Sequence, residues 1–352
     1  MDKILTIIIP AFDCEQTIGD LLNSIDKNIY KDIKIIFVND NKNNIAAEKF
    51  CIDFCKKNDI YLECFKTEED SLHCPGNTRQ VGLEHVDTPW FTFIDNDDLF
   101  VEGSLTQVIN ILNKFITYPV IATNFYSWNK TKNCPIKKFE KSATDSWHHG
   151  KFYNTEWIKK LDIHFKKNLF SHEDLYFNNS ILSKIIPLDK DYLYLPIFTY
   201  KWIDNPNSLS HSFFNGTYTY IEMYLRDYIL SCSEPFILAY KDNPSYKNWY
   251  LHQVLMTLLY SYFYFCAEVV RLKIPNVHSL KENYLVDKNY FVIKEYLSKI
   301  KNIFDITAQE IIDYINNNPA LYLKIKENSF FGSHPFVERI SFEDFIHVLE
   351  EN

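Results

Sequence analysis

The sequence predicts an α/β fold, a mostly parallel sheet flanked by helices, followed by a mainly helical C-terminal region. Three observations carry this. Short apolar runs alternate with stretches of helical spacing over roughly the first hundred residues. The runs are nearly continuous rather than alternating, as in parallel strands covered on both faces. From about Thr217 helical spacing dominates, broken by Pro235, Pro244, Pro275 and Pro319.

The elements follow in order. Leu5 to Ile9 is the first apolar strand, and Glu15 to Lys27 carries Ile18, Leu21, Leu22 and Ile25 at helical spacing. Ile33 to Val38 is a second strand, Ile45 to Lys57 a second helix and Ile60 to Phe65 a third strand. Asn77 to His85 reads as a helix, and Trp90 to Ile94 as a fourth strand that ends in acids. This β-α repetition favours a doubly wound sheet. Leu105 to Phe115 then suits a helix, Val120 to Trp128 a strand, and Lys130 to Lys141 a lysine-rich loop or hairpin. Helical spacing returns at Glu156 to Leu161 and Leu175 to Ile186. The expected division is residues 1–216, split into halves 1–99 and 100–216, and a helical domain 217–352.

Composition excludes some classes. The net charge is -9, which disfavours a surface built to grip nucleic acid throughout. The 8 Cys stand at irregular spacings without a CxxC pair, which disfavours a zinc knuckle. Met1-Asp2-Lys3 runs straight into a strand, with no leader, and scattered cysteines then suit a reducing cytoplasm. Leu255 to Val270 is the most membrane-like stretch, but it is short for a span and contains Thr257 and Ser261. It reads as a buried core helix, with peripheral contact at the inner membrane face or a homo-oligomer interface as alternatives.

Ligands of parallel sheets bind beyond the carboxyl ends of the strands. The polar residues there are Pro10-Ala11-Phe12-Asp13, Asn39-Asp40-Asn41 and Asp95-Asn96-Asp97-Asp98. Alternation along an extended end would aim Asp95 and Asp97 to one side. Two converging carboxylates make a hard oxygen site for Mg2+ or Mn2+. An acidic turn capping the next helix is the plainer alternative.

With these segments in view, the chain resembles family 2 glycosyltransferases of the GT-A fold. Thr6-Ile7-Ile8-Ile9-Pro10-Ala11-Phe12-Asp13 is similar to that family's opening strand. Ile36-Phe37-Val38-Asn39-Asp40-Asn41 resembles its second, with Asn39 in place of an acid. Gly76-Asn77-Thr78-Arg79-Gln80-Val81-Gly82 resembles the G-x-ARNxG turn and helix, and Phe93-Ile94-Asp95-Asn96-Asp97-Asp98 the hhDxDD motif. Gly150-Lys151-Phe152-Tyr153, Ser171-His172-Glu173-Asp174-Leu175-Tyr176-Phe177 and Tyr200-Lys201-Trp202 with Ser208-Leu209-Ser210-His211 extend the resemblance over about residues 4–211.

The resemblance implies a metal-dependent inverting transfer of a sugar from a nucleotide diphosphate, UDP being favoured, to a hydroxyl of a glycan or cell-surface polysaccharide. It implies that Pro10, Ala11 and Asp13 line the nucleoside pocket with Asn96 close by. Asp40 would meet the base edge, and Arg79 the diphosphate or the acidic cluster. Asp95 would sit near ribose and metal, Asp97 would be the principal ligand to Mn2+ or Mg2+, and His211 would complete the sphere. Asp174 would be the catalytic base, since one carboxylate must take the acceptor proton. Glu173, His149 and Trp202 are acceptor-side candidates.

Trp128, Trp147 and Trp202 suit either sugar stacking or a core. Lys130, Lys132, Lys137, Lys138 and Lys141, opposed only by Glu140, suit a solvated loop or an anionic acceptor. Two other functions stay open at this stage: glycosylation of modified DNA bases, and a catalytically inactive sugar-nucleotide-binding module. A nucleotidyltransferase would need a Gly-rich phosphate loop after the first strand, and none is present.

Overall fold

The computed structural model describes residues 3–41, 43–68, 73–140, 147–205, 218–271, 284–321 and 341–350. The chain divides into two compact units, Met1–Ser212 and Phe213–Asn352.

The first unit is a 9-stranded sheet with helices on both faces. Strands β1 (Leu5–Ala11), β2 (Ile33–Asn39), β3 (Tyr61–Lys66) and β4 (Trp90–Phe93) are connected through α1 (Ile18–Asn23), α2 (Ala46–Asn58) and α3 (Pro75–Glu84). β5 (Leu99–Phe100), α4 (Ser104–Leu112), β6 (Val120–Asn129), β7 (Cys134–Phe139), β8 (Lys151–Asn154), α5 (Thr155–Lys160), α6 (Glu173–Ile185) and β9 (Leu193–Ile203) complete it. The strand order is β3-β2-β1-β4-β8-β6-β9-β5, with β7 paired to β6. β1, β2, β3 and β4 pair parallel, as does β6 with β9. β8 joins β4 and β6 antiparallel, so the sheet is mixed beyond β4.

The continuous apolar strands explain the layering. Leu5, Ile7 and Ile9 face one core with Ile33, Ile35 and Phe37, while Ile8, Ile36 and Val38 face the other. Period two delivers successive side chains to opposite faces, and both faces are covered. Helix α3 lies close on the sheet because residue 82 is glycine: a Cβ there would stand 2.5 Å from Ile8 Cγ2. Lys34 is the charged residue within β2, and its ammonium reaches Glu63 at 2.8 Å and Asp87 at 3.0 Å.

The lysine-rich segment after β6 is a hairpin strand, β7, as one of its two expected forms. β9 carries Pro196, and its register against β6 shifts between Thr123 and Phe125. A proline cannot donate to the ladder, so it sits at such an irregularity.

The second unit is helical: α7 (Tyr218–Asp242), α8 (Lys247–Arg271), α9 (Tyr284–Phe304), α10 (Ala308–Asn316) and α11 (Phe342–Glu350). Thr307 and Glu310 form a reciprocal capping box that starts α10. Leu255, Leu258, Leu259, Tyr262 and Phe263 of α8 are buried in this unit's own core, where Tyr262 meets Phe342 at 5.3 Å and Phe345 at 5.2 Å. Thr257 and Ser261 satisfy their hydroxyls on backbone carbonyls of α7 and α8. Among the described residues no helix is long and apolar enough to cross a membrane.

Candidate active site

The carboxyl ends of β1, β2 and β4 meet at one edge of the sheet, and hydrogen bonds tie them together. Asp40 donates its backbone N–H to Ala11 O at 2.8 Å. Asn96 donates its side-chain amide to Pro10 O at 3.0 Å. Asp13 has a positive φ of 46° and accepts from Asn41 at 2.7 Å and Asn44 at 2.9 Å. Pro10, Ala11, Asp13, Asp40 and Asn96 are thus brought to one place. The Asp40 carboxylate is buried, accepts from Thr67 Oγ1 at 2.6 Å and lies 3.1 Å from His73 Nδ1. His73 had no role in the sequence reading, since nothing local marks it as Asp40's partner.

The centre of the site is a buried ion-pair bridge. Arg79, on α3 and 5% exposed, donates from Nη1 to Glu173 at 2.6 Å and from Nη2 to Asp95 at 2.5 Å. The planar guanidinium fork suits two carboxylates at once. The bridge joins the end of β4 to the start of α6 and sets Glu173 beside Arg79. Burial raises the Asp95 carboxyl, but the Arg79 charge outweighs it and holds Asp95 below its ordinary value, with His149 contributing.

Asp174 follows Glu173 in the first turn of α6, and Leu175 N–H donates to its Oδ1 at 2.8 Å. Burial, aided by the Glu173 charge, pushes the Asp174 carboxyl up to about 7. A carboxylate poised there takes a proton near neutral pH, which is what a general base requires.

The acidic end of β4 is a turn, because β4 stops at Phe93 and Asp98 N–H donates to Asp95 O at 3.1 Å. Strand alternation therefore does not govern Asp95 and Asp97. Asp97 accepts from Asn205 at 3.1 Å, and burial and the Asp95 charge raise its carboxyl. Asp98 is buried and accepts from Tyr200 Oη at 2.5 Å and from Ile203 N–H at 2.7 Å. Burial first, then Asp95 and Asp97, push the Asp98 carboxyl well up.

Asp95, Asp98 and His149 each bring a donor atom within 4.8 Å of the others. His149 Nδ1 is buried without a hydrogen-bond partner among the described residues. Its ring lies 4.6 Å from Tyr200 and 5.8 Å from Trp202, and burial lowers its pKa to about 4. Two carboxylates with a neutral imidazole are a donor set that fits a divalent cation, the carboxylates suiting Mn2+ or Mg2+. Asp97 is outside this trio, and His211 lies outside the described residues. The sequence motif contained Asp98 and Tyr200, but their pairing depends on β9 returning beside β5.

The strand β8 that carries this edge depends on Gly150. Its φ is +67°, and an added Cβ would meet Thr123 Oγ1 at 2.6 Å. Gly150→Ala is expected to cost about 2 kcal/mol or more, from the left-handed backbone and the clash together. Urea denaturation checks this; an unchanged midpoint would refute the close approach.

Residues 6–168 match the model of glycosyl transferase family 2. The chain is 30% identical over 190 residues to a teichoic acid poly(glycerol phosphate) polymerase of Staphylococcus epidermidis, covering 49% of this chain and 25% of that protein. It is 28% identical over 136 residues to the glycosyltransferase GlyA of Streptococcus pneumoniae, covering 38% of this chain and 18% of that protein. The chain thus spans a quarter or less of the length of these two curated relatives. The crystal structure of S. aureus TarS 1–349 is similar in fold at 15% identity, with a TM-score of 0.56, 94% of this chain and 92% of that one covered. The same TarS fragment in complex with UDP-GlcNAc is similar at 14% identity, with a TM-score of 0.55 and the same coverage, 94% and 92%.

Proposed function

We propose that this chain, whose residues 6–168 match the model of glycosyl transferase family 2, transfers a sugar from a UDP-sugar to a hydroxyl of a glycan acceptor, with inversion and with a divalent cation. The observation that carries the reading is the Asp95–Arg79–Glu173 bridge, which fixes the acidic end of β4 beside the Asp174 turn of α6. Support for UDP comes from the TarS fragment, whose fold this chain shares and which is known in complex with UDP-GlcNAc.

In this reading Asp40 meets the base edge, and Pro10, Ala11 and Asp13 form the wall beside it. Asp95, Asp98 and His149 would hold Mn2+ or Mg2+, with Asp97 next to them. The cation, when bound, neutralises charge that builds on the departing diphosphate. Asp174 accepts the proton of the acceptor hydroxyl as that oxygen bonds to the anomeric carbon. The bond from that carbon to the diphosphate breaks, and the electron pair leaves with the nucleotide. Arg79 keeps Asp95 ionised in a buried setting and donates to Glu173. Trp202, stacked on His149, stands on the acceptor side.

A thermal-shift panel of UDP, GDP, CDP and TDP, each with and without Mn2+, tests the donor site on wild type, Asp97→Ala and Asp98→Ala. UDP is expected to stabilise the wild type only with Mn2+, by about 2.7 kcal/mol at a hundredfold excess over Kd. Both variants should lose that shift. No shift with any nucleotide would sink the donor-site reading.

A further inference from the structure

Beyond the donor-side carboxylates, the sheet presents a second chemical surface. Three strands place Lys138, Tyr126 and Lys201 in one cross-strand row, Tyr126 being the register partner of both lysines. Directly opposed residues share a face of the sheet. On that face Tyr126 stacks on Phe198 at 4.2 Å, and Trp128 meets Tyr126 edge-on at 5.8 Å. Lys201 Nζ lies 4.4 Å from the centre of the Trp128 ring, and Lys138 Nζ 5.8 Å from that of Phe198. Lys138 is exposed, and Tyr126, Trp128, Phe198 and Lys201 are half-buried.

This is an aromatic floor with cations above it. The lysine Cα atoms stand two strand spacings apart, about 10 Å. Neither ammonium has an ion-pair partner among the described residues; the Glu102 charge reaches Lys201 without pairing to it. In a protein of net charge -9, two cations over aromatic rings without a paired carboxylate are a local feature. Aromatic faces accept the C–H faces of sugar or polyol units, and lysine ammoniums bind phosphate as point charges. The floor is also continuous with the site. Two residues past Lys201 on the same strand, about 7 Å along, the Ile203 N–H is held by Asp98.

We propose that the Tyr126–Trp128–Phe198 face, topped by Lys138 and Lys201, binds an acceptor chain of phosphate-linked sugar or polyol units and leads it along β9 to the catalytic carboxylates. This rests on the glycosyltransferase reading, and names the acceptor class that reading leaves open. A nucleic-acid strand is the competing occupant, and the overall negative charge disfavours it.

The test compares wild type with Lys138→Glu/Lys201→Glu and with the milder Lys138→Gln/Lys201→Gln, all as the full chain. Calorimetry measures binding of a glycerol-phosphate hexamer, maltohexaose and a six-nucleotide DNA strand. Release of UDP from a UDP-sugar without acceptor is followed in parallel. Wild type is expected to bind the glycerol-phosphate hexamer best. The Gln pair should weaken that binding about tenfold, equivalent to about 1.4 kcal/mol, and the Glu pair more. UDP release should stay within about twofold in both variants, because neither lysine touches the donor residues. Equal binding by wild type and variants overturns the proposal, as does no binding, or a preference for maltohexaose or DNA. Should UDP release be absent in wild type while lysine-dependent binding persists, the transferase reading fails and the docking face stands.

Discussion

Asp174→Asn is expected to slow sugar transfer by about 10²–10⁴-fold, the range general-base catalysis supplies, while leaving the UDP-driven thermal shift in place. The amide keeps the shape of the side chain and an oxygen for Leu175 N–H, but it cannot take a proton. In the wild type, kcat/KM should fall about tenfold per pH unit below the Asp174 pKa of about 7 and level off above it. The sign follows from the role: the base acts ionised, and acid protonates it. Stability moves the other way. A carboxyl whose folded pKa is raised binds its proton more tightly when folded, so its contribution declines as pH rises from the ordinary carboxyl range towards 7. Asp174→Asn, neutral at every pH, should therefore lie closest to wild type near pH 4 and melt higher than wild type at pH 8. Stopped assays with a radiolabelled UDP-sugar and melting curves at both pH values decide this. Full transfer activity in the variant would remove Asp174 from the mechanism.

Arg79→Leu should have the largest effect on stability. The side chain is nearly fully buried and donates to two carboxylates at once, Asp95 and Glu173. Removing one partner of a buried ion pair costs about 3–5 kcal/mol, because the remaining charge is uncompensated. Without Arg79, burial raises the folded-state carboxyl of Asp95, so the variant binds more protons folded than unfolded and loses stability as pH rises. The deficit should accordingly be larger at pH 8 than at pH 5. Arg79→Lys keeps the charge, but a single ammonium lacks the fork that spans both partners. It should recover only part of the loss. Denaturation midpoints at the two pH values supply the test; a loss under about 1 kcal/mol at both would show that the bridge contributes little.

The parallel half of the sheet was legible because it is written locally. β1 and β2 are seven-residue runs, every residue of them buried, and such runs have few other fates. The acidic end of β4 and the Glu173–Asp174 pair were legible for a similar reason: each is a short motif next to a recognisable element. β8 and β9 were not read as strands. β8 is only four residues and begins with a buried lysine, while β9 contains Pro196 and an irregular register. Neither pattern shows a period of two long enough to stand out.

The sequence by itself determined which residues end the parallel strands and therefore which polar groups crowd one edge of the sheet. Tertiary structure alone decided how those groups pair. Arg79 finds Glu173 across 94 positions, and Tyr200 finds Asp98 across 102. The physical reason is one of range. Hydrophobic period and turn chemistry act over a few residues, whereas a buried charge takes whichever partner the packed chain brings within hydrogen-bond distance.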